Sequence, residues 1–145
     1  MRHSKLPTNY SIKSFKRRSQ RKHHLPMPNR NRRNWRGDVA LQALHGGTIS
    51  ARAIEAARRV LVRRTSRQGQ LWNLIQAYHP VTSKPIEARI GKGKGSIDHY
   101  TSPIRAGQFL FEIGGIDSTV AVAALNSAAT KFSIRTRVVL RPRLK

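Results

Sequence analysis

The first acidic residue of the chain is Asp38. Before it, Lys13, Lys16, Arg17, Arg18, Arg21, Lys22, Arg30, Arg32, Arg33 and Arg36 follow one another, interrupted by Pro7, Pro26 and Pro28. So few apolar side chains cannot bury enough surface to offset the entropy of ordering the backbone. Residues 1–37 are therefore expected to be disordered alone, and the globular part is confined to residues 38–145, one domain's worth of chain. The imbalance runs throughout: 29 Lys+Arg stand against 6 Asp+Glu, a net charge of +23. Self-repulsion on that scale destabilises an isolated compact state. A polyanion belongs to the working state, and nucleic acid is the commonest one. No membrane is expected, because no apolar run approaches the roughly 18–20 residues a spanning helix needs. The absence of cysteine excludes disulfides, thiolate metal sites and a cysteine nucleophile.

Two readings compete for the acid-free segment. It has the Arg- and Ser-rich composition of an organelle targeting peptide, and it also suits an extension that folds against RNA as its cations neutralise phosphates. The second is favoured because no clear amphipathic helix is present, and because Tyr10, Phe15 and Trp35 offer stacking or anchoring groups.

In the globular part, Val39, Leu41 and Leu44 lead into a turn at His45-Gly46-Gly47. Ser50 is placed to cap a helix over 51–64, its hydroxyl accepting from an orphan amide of the first turn. At 100° per residue, Ala53, Ile54, Ala57, Val60 and Leu61 share one arc, while Arg52, Arg59 and Arg63 stack opposite with Glu55 four residues before Arg59. Three cations on one stripe beside a single acid suit a phosphate-facing surface. Ser66–Gly69 breaks the helix. Leu71–Tyr78 reads as a strand with Trp72 in the core, Phe109–Ile113 as another, and the alanine-rich stretch Ser118–Lys131 as a second helix packed on a sheet. Ile134, Thr136, Val138 and Leu140 alternate with Arg135, Arg137 and Arg141, giving a strand with an inward and a basic face. The sum is an α+β domain with a mixed sheet.

Between the strands lies an extended excursion, residues 79–100, containing Lys84–Gly95, KPIEARIGKGKG. Glycine tolerates positive φ and lets backbones approach closely, so a loop in which Gly91, Gly93 and Gly95 alternate with Lys92 and Lys94 can press against a phosphate-lined surface. The alternative is a flexible solvated loop. An enzyme is not expected. The series lacks both the spacing of a dinucleotide fingerprint and the GK[ST] ending of a P-loop. The six acids are scattered, the histidines show no ligand spacing, and no nucleophile has a base. No cofactor or metal is implied.

Several blocks together resemble a known family. Ile49–Arg59 is similar to the (L/I)TARQIEAARR signature of the ribosomal protein L-sixteen family of the large subunit, and Lys84–Gly95 resembles its KP-x-x-x-RMGKGKG segment. Phe111–Ile116 and Lys131–Thr136 resemble its LFEIxGV and KLPIKT blocks. Phe15-Lys16-Arg17-Arg18 to Arg21-Lys22-His23 loosely resembles its KFRKxHKGR arm. The resemblance implies an α/β-hammerhead-type fold with two helices, bound to large-subunit rRNA among neighbouring ribosomal proteins. It also implies a place beside the aminoacyl-tRNA (A) site, with Lys84, Arg89, Gly91, Lys92, Gly93, Lys94 and Gly95 nearest A-site tRNA and the peptidyl-transferase centre. The RNA-binding set then comprises Lys16, Arg17, Arg18, Arg21, Lys22, Arg30, Arg32, Arg33, Arg36, Arg52, Arg59, Arg63, Arg135 and Arg137. The chain departs from the family at Ala53, Leu74, His79 and His99, where a capping-box glutamine, two cations and an aromatic are usual. Such drift points to an organellar, mitochondrial ribosome; bacterial cytoplasm or a plastid is the alternative. The rival functions are a free-standing nucleic-acid binder or RNA chaperone, and a nucleotide-using enzyme.

Overall fold

The computed structural model describes residues 35–88, 91 and 93–141. Chain order is β1 (Val39–Ala43), β2 (Gly47–Ser50), α1 (Ala51–Arg64), β3 (Gln70–Asn73), β4 (His79–Ser83), β5 (Ser96–Ile104), β6 (Phe109–Gly114), α2 (Ser118–Ala129) and β7 (Thr136–Leu140). This is the expected α+β fold with two helices. The strands form two sheets rather than one, ordered β3-β6-β1-β7 and β2-β5-β4. Every pairing among the described residues is antiparallel, where a mixed sheet was expected.

The larger sheet carries the core. Val39, Leu41, Phe111 and Ile113 are buried with Ile54, Ala57 and Leu61 of α1 and Ala121, Ala124, Leu125 and Ala128 of α2. The apolar arc anticipated for α1 is the face it buries, with Ala53 and Val60 at its margin. Ser50 caps it, its Oγ accepting from Ala53 N at 3.3 Å. The alanines of α2 have no side chain beyond Cβ and so allow close approach to α1, β1 and β7. α2 stops at Ala129, two residues short of the expected end.

Between Leu41 and Gln42 the β1–β6 register slips, pairing Leu41 with Phe111 and then Gln42 with Phe109. The bulge skips Leu110 and turns Phe109 to the opposite face of the sheet. There Trp35 packs edge-on against Phe109, ring centroids 4.8 Å apart, so Trp35 is an anchor. Trp72, opposite Glu112 in the β3–β6 register, lies on this second face. It is half-buried rather than in the core.

The expected strand Leu71–Tyr78 is cut short. Asn73 Oδ1 accepts from Ile75 N at 3.1 Å, a side-chain turn that competes with the ladder. The stretch taken for an excursion is instead a hairpin of the second sheet, β4 paired with β5, with Lys84–Gly95 at its tip. Pro80 is tolerated because β4 is an edge strand, where a missing N–H donor need not break a ladder. In β7, Thr136 and Val138 are half-buried and Arg137 exposed, as alternation requires, but Leu140 is exposed at the sheet edge rather than inward.

Candidate nucleic-acid interface

β2 runs directly into α1, so the second sheet fixes the start of the helix while α2 packs against its body. That leaves the outer face of α1 to its cations, with Arg52, Arg59, Arg63 and Arg64 exposed. Glu55 accepts from Arg59 Nε at 3.0 Å, the expected i,i+4 pair. Its closer partner is Arg58, whose Nε and Nη2 each lie 2.7 Å from a Glu55 oxygen. Those hydrogen bonds from Arg58, opposed by partial burial and reinforced by Arg59, hold the Glu55 carboxyl at a pKa of about 2. The Arg58 guanidinium is pushed up in turn by its bond to Glu55. Among the described residues no carboxylate pairs with Arg52, Arg63 or Arg67.

At the hairpin tip the glycines divide by role. Gly91 and Gly93 take φ of 114° and 78°, and a side chain on either would meet open space. Gly95 shows the other expected property, close backbone approach, because a Cβ there would collide with the Ser83 carbonyl. Lys84 donates from Nζ to the Gly91 carbonyl at 2.8 Å. Lys94 is exposed, and Arg89 and Lys92 lie outside the described residues.

A third group of cations lies on β7. Arg137 donates from Nε to Gln42 Oε1 at 2.8 Å. Gln42 is itself fixed by donating from Nε2 to the Gly107 carbonyl at 2.7 Å. Arg135 is exposed just before the strand. Arg36 is exposed where the chain enters the domain, and its backbone N–H donates to buried Glu112 at 2.9 Å. Lys16, Arg17, Arg18, Arg21, Lys22, Arg30, Arg32 and Arg33 lie outside the described residues. Sequence reasoning passed over Arg58 and Arg67. Arg58 is one residue from the selected stripe, and Arg67 follows the helix, where periodicity gives no direction.

The carboxylates do not form a site of their own. Glu112 is buried against backbone N–H groups, Glu55 is bonded to two arginines, and Asp117 accepts from the Thr119 hydroxyl beside the start of α2. Among the described residues there is no cluster of three or more metal-ligating side chains, and no helix long and apolar enough to cross a membrane.

The fold and this arrangement define a basic α+β protein that presents guanidinium and ammonium groups outward and neutralises or buries much of its small acidic complement. Residues 12–139 match the family described as ribosomal protein L16p/L10e. The large ribosomal subunit protein uL16 of Paracoccus denitrificans (strain Pd 1222) is 45% identical over 105 residues, covering 72% of this chain and 77% of that one. The protein of the same name from Cereibacter sphaeroides (strain ATCC 17029 / ATH 2.4.9) is 44% identical over the same length and shares. The chain belongs to the ribosomal protein L16p/L10e family.

Proposed function

We propose that this ribosomal protein is a non-enzymatic constituent of the large subunit that braces folded rRNA beside the aminoacyl-tRNA site. In this reading the Lys84–Gly95 hairpin tip is the part nearest the tRNA. The observation that carries the reading is the tip itself. Two left-handed glycines with open space where a side chain would stand, and a third in close backbone contact, leave exposed Lys84 and Lys94 able to reach a phosphate surface. The arginines of α1 and β7 contact rRNA backbone elsewhere. Each contact is weak and displaces condensed counterions, so affinity falls steeply with salt. The recognition is of shape and backbone rather than sequence.

The family match begins at residue 12 and so takes in the basic run from Lys16 to Lys22. That supports an rRNA-binding role for the extension. A mitochondrial ribosome is the finer reading, supported by the departures at Ala53, Leu74, His79 and His99; fractionation of a tagged chain tests it.

Replacing Arg89, Lys92 and Lys94 together by alanine tests the tip. The variant should still join the large subunit, while accommodation of aminoacyl-tRNA or late subunit maturation slows. Normal accommodation and maturation would overturn the assignment. Sedimentation separates this role from a free-standing RNA binder, since only a ribosomal constituent co-migrates with the large subunit in moderate salt.

A further inference from the structure

Helix α1 is closed by its own following residues. Thr65 donates from Oγ1 to the Leu61 carbonyl at 3.0 Å. Ser66 N–H donates to Arg63 O at 3.2 Å and Arg67 N–H to Val62 O at 3.0 Å. This is the Schellman pattern, which needs one left-handed residue just past the C-cap, usually glycine. Here that residue is Ser66, at φ 49°, and Arg67 follows it in the same region at φ 63°. The closure accounts for the first left-handed residue. The second is an added conformational cost on a long side chain, and such costs gather where a side chain has to be aimed.

The turn brings Ser66 and Arg67 together with Arg58, Arg59, Val62 and Arg63 around an open depression of about 590 Å³. No carboxylate lines it. Glu55 is bonded to Arg58 and Arg59, leaving Arg63 and Arg67 with no acidic partner among the described residues. A helix C-terminus ordinarily repels anions through its unsatisfied carbonyls. At this one the Leu61, Val62 and Arg63 carbonyls all accept hydrogen bonds. What remains is a concave, guanidinium-lined surface, and the planar fork of arginine matches phosphate oxygens two at a time.

We propose that this depression is a seat for the phosphodiester backbone of folded RNA. Arg63 and Arg67 grip the phosphate, and Arg58 and Arg59 complete the wall. The assignment rests on the rRNA-binding role proposed above and gives it a location that the helical stripe alone does not.

Arg67→Gly separates a seat from a mere helix stop, because it relieves the left-handed backbone and removes the guanidinium in one change. Thermal unfolding of the free full-length chain and binding to transcribed large-subunit rRNA over a salt series are the two readouts. For Arg67→Gly the melting temperature should hold or rise, while binding weakens and the slope of log K against log salt becomes shallower by roughly 1. Arg63→Ala/Arg67→Gly should lose roughly 2 from that slope and open one discrete stretch of rRNA backbone to hydroxyl-radical cleavage. Ser66→Gly, which relieves the left-handed backbone without removing a cation, should raise the melting temperature without making the slope shallower. Arg105→Ala, a cation away from the depression, should leave that rRNA stretch protected. If wild-type chain binds the rRNA and Arg67→Gly binds it with the same affinity and slope, the seat is refuted while the ribosomal role stands. If the wild-type chain does not bind at all, both fall.

Discussion

Lys84 Nζ and the carbonyl oxygen of Gly91 lie 2.8 Å apart, a hydrogen bond that ties the first residue of the hairpin tip to its first left-handed glycine. The bond is exposed, so its net contribution is small, about 0.5–1 kcal/mol. Its effect is on shape. An ammonium group has three donors, so one can hold the loop while the others stay available to an external acceptor. Lys84→Met keeps the length of the side chain and removes the donors. Global stability should change by less than about 1 kcal/mol, while NMR order parameters of the Gly91 and Gly93 amides fall. Lys84→Arg should restore them. Unchanged order in Lys84→Met would mean the tip is shaped without this bond.

The three tip glycines should respond differently to alanine. At Gly91 and Gly93 only the backbone conformation is offended, at about 1 kcal/mol each. At Gly95 the new methyl meets the Ser83 backbone, which cannot move without opening the Ser83–Ser96 end of the hairpin. A cost of about 1–3 kcal/mol is expected there, with faster amide exchange spreading into β4 and β5. Denaturant unfolding and hydrogen exchange on the three variants test the order, and equal costs would contradict it.

What the sequence made legible depended on whether one local rule governed a segment. The span of α1, its cap at Ser50 and its buried arc followed from periodicity and one hydroxyl, because nothing else competes there. The second sheet was hidden because Pro80, Pro85 and the glycines signal a loop, and only long-range pairing shows that Pro80 sits on an edge strand opposite Tyr100. The early end of β3 depends on one Asn73 side-chain bond, and the bulge at Leu41–Gln42 on a neighbour about seventy residues away in sequence. In the candidate interface, the arginine stripe of α1 could be counted out at 100° per residue. The choice of Arg58 as the closer partner of Glu55 is a matter of rotamers. The positive φ of Arg67 is one that neither its own side chain nor that of Ser66 announces.

Glu112 joins the acid-free segment to the core. One buried oxygen, Oε2, accepts from Arg36 N–H at 2.9 Å and Gly37 N–H at 3.1 Å. A Cβ on Gly37 would lie 2.6 Å from the Ile113 carbonyl, so the strap lies flat against β6. Glu112→Ala leaves two backbone donors without their acceptor, for about 2–4 kcal/mol. Glu112→Gln keeps a neutral acceptor and should recover about half of that. Urea unfolding gives the magnitudes. In a Trp72→Phe background, Trp35 emission reports whether the strap has left Phe109. A full loss of stability without a shift in Trp35 emission would place the role of Glu112 elsewhere.

The Glu55 carboxyl supplies a pH test. Hydrogen bonds from Arg58, then Arg59, lower its pKa from 4.5 to about 2 in the folded chain. A depressed folded-state value means that the charged carboxylate favours folding above the unfolded pKa, and that this contribution disappears as pH falls from about 4.5 through about 2. The group is about 40% exposed, so solvent screening limits the contribution to about 0.5–1 kcal/mol. Glu55→Gln should be less stable than wild type by that amount at pH 7, with the gap closing near pH 2 and shrinking in high salt. Paired denaturant titrations at the two pH values measure it. The same variant frees Arg58 and Arg59 from their shared anion, so its rRNA affinity at low salt should hold or rise even as the fold weakens. A fall in both would show that the Glu55 bridge is needed to aim the two arginines.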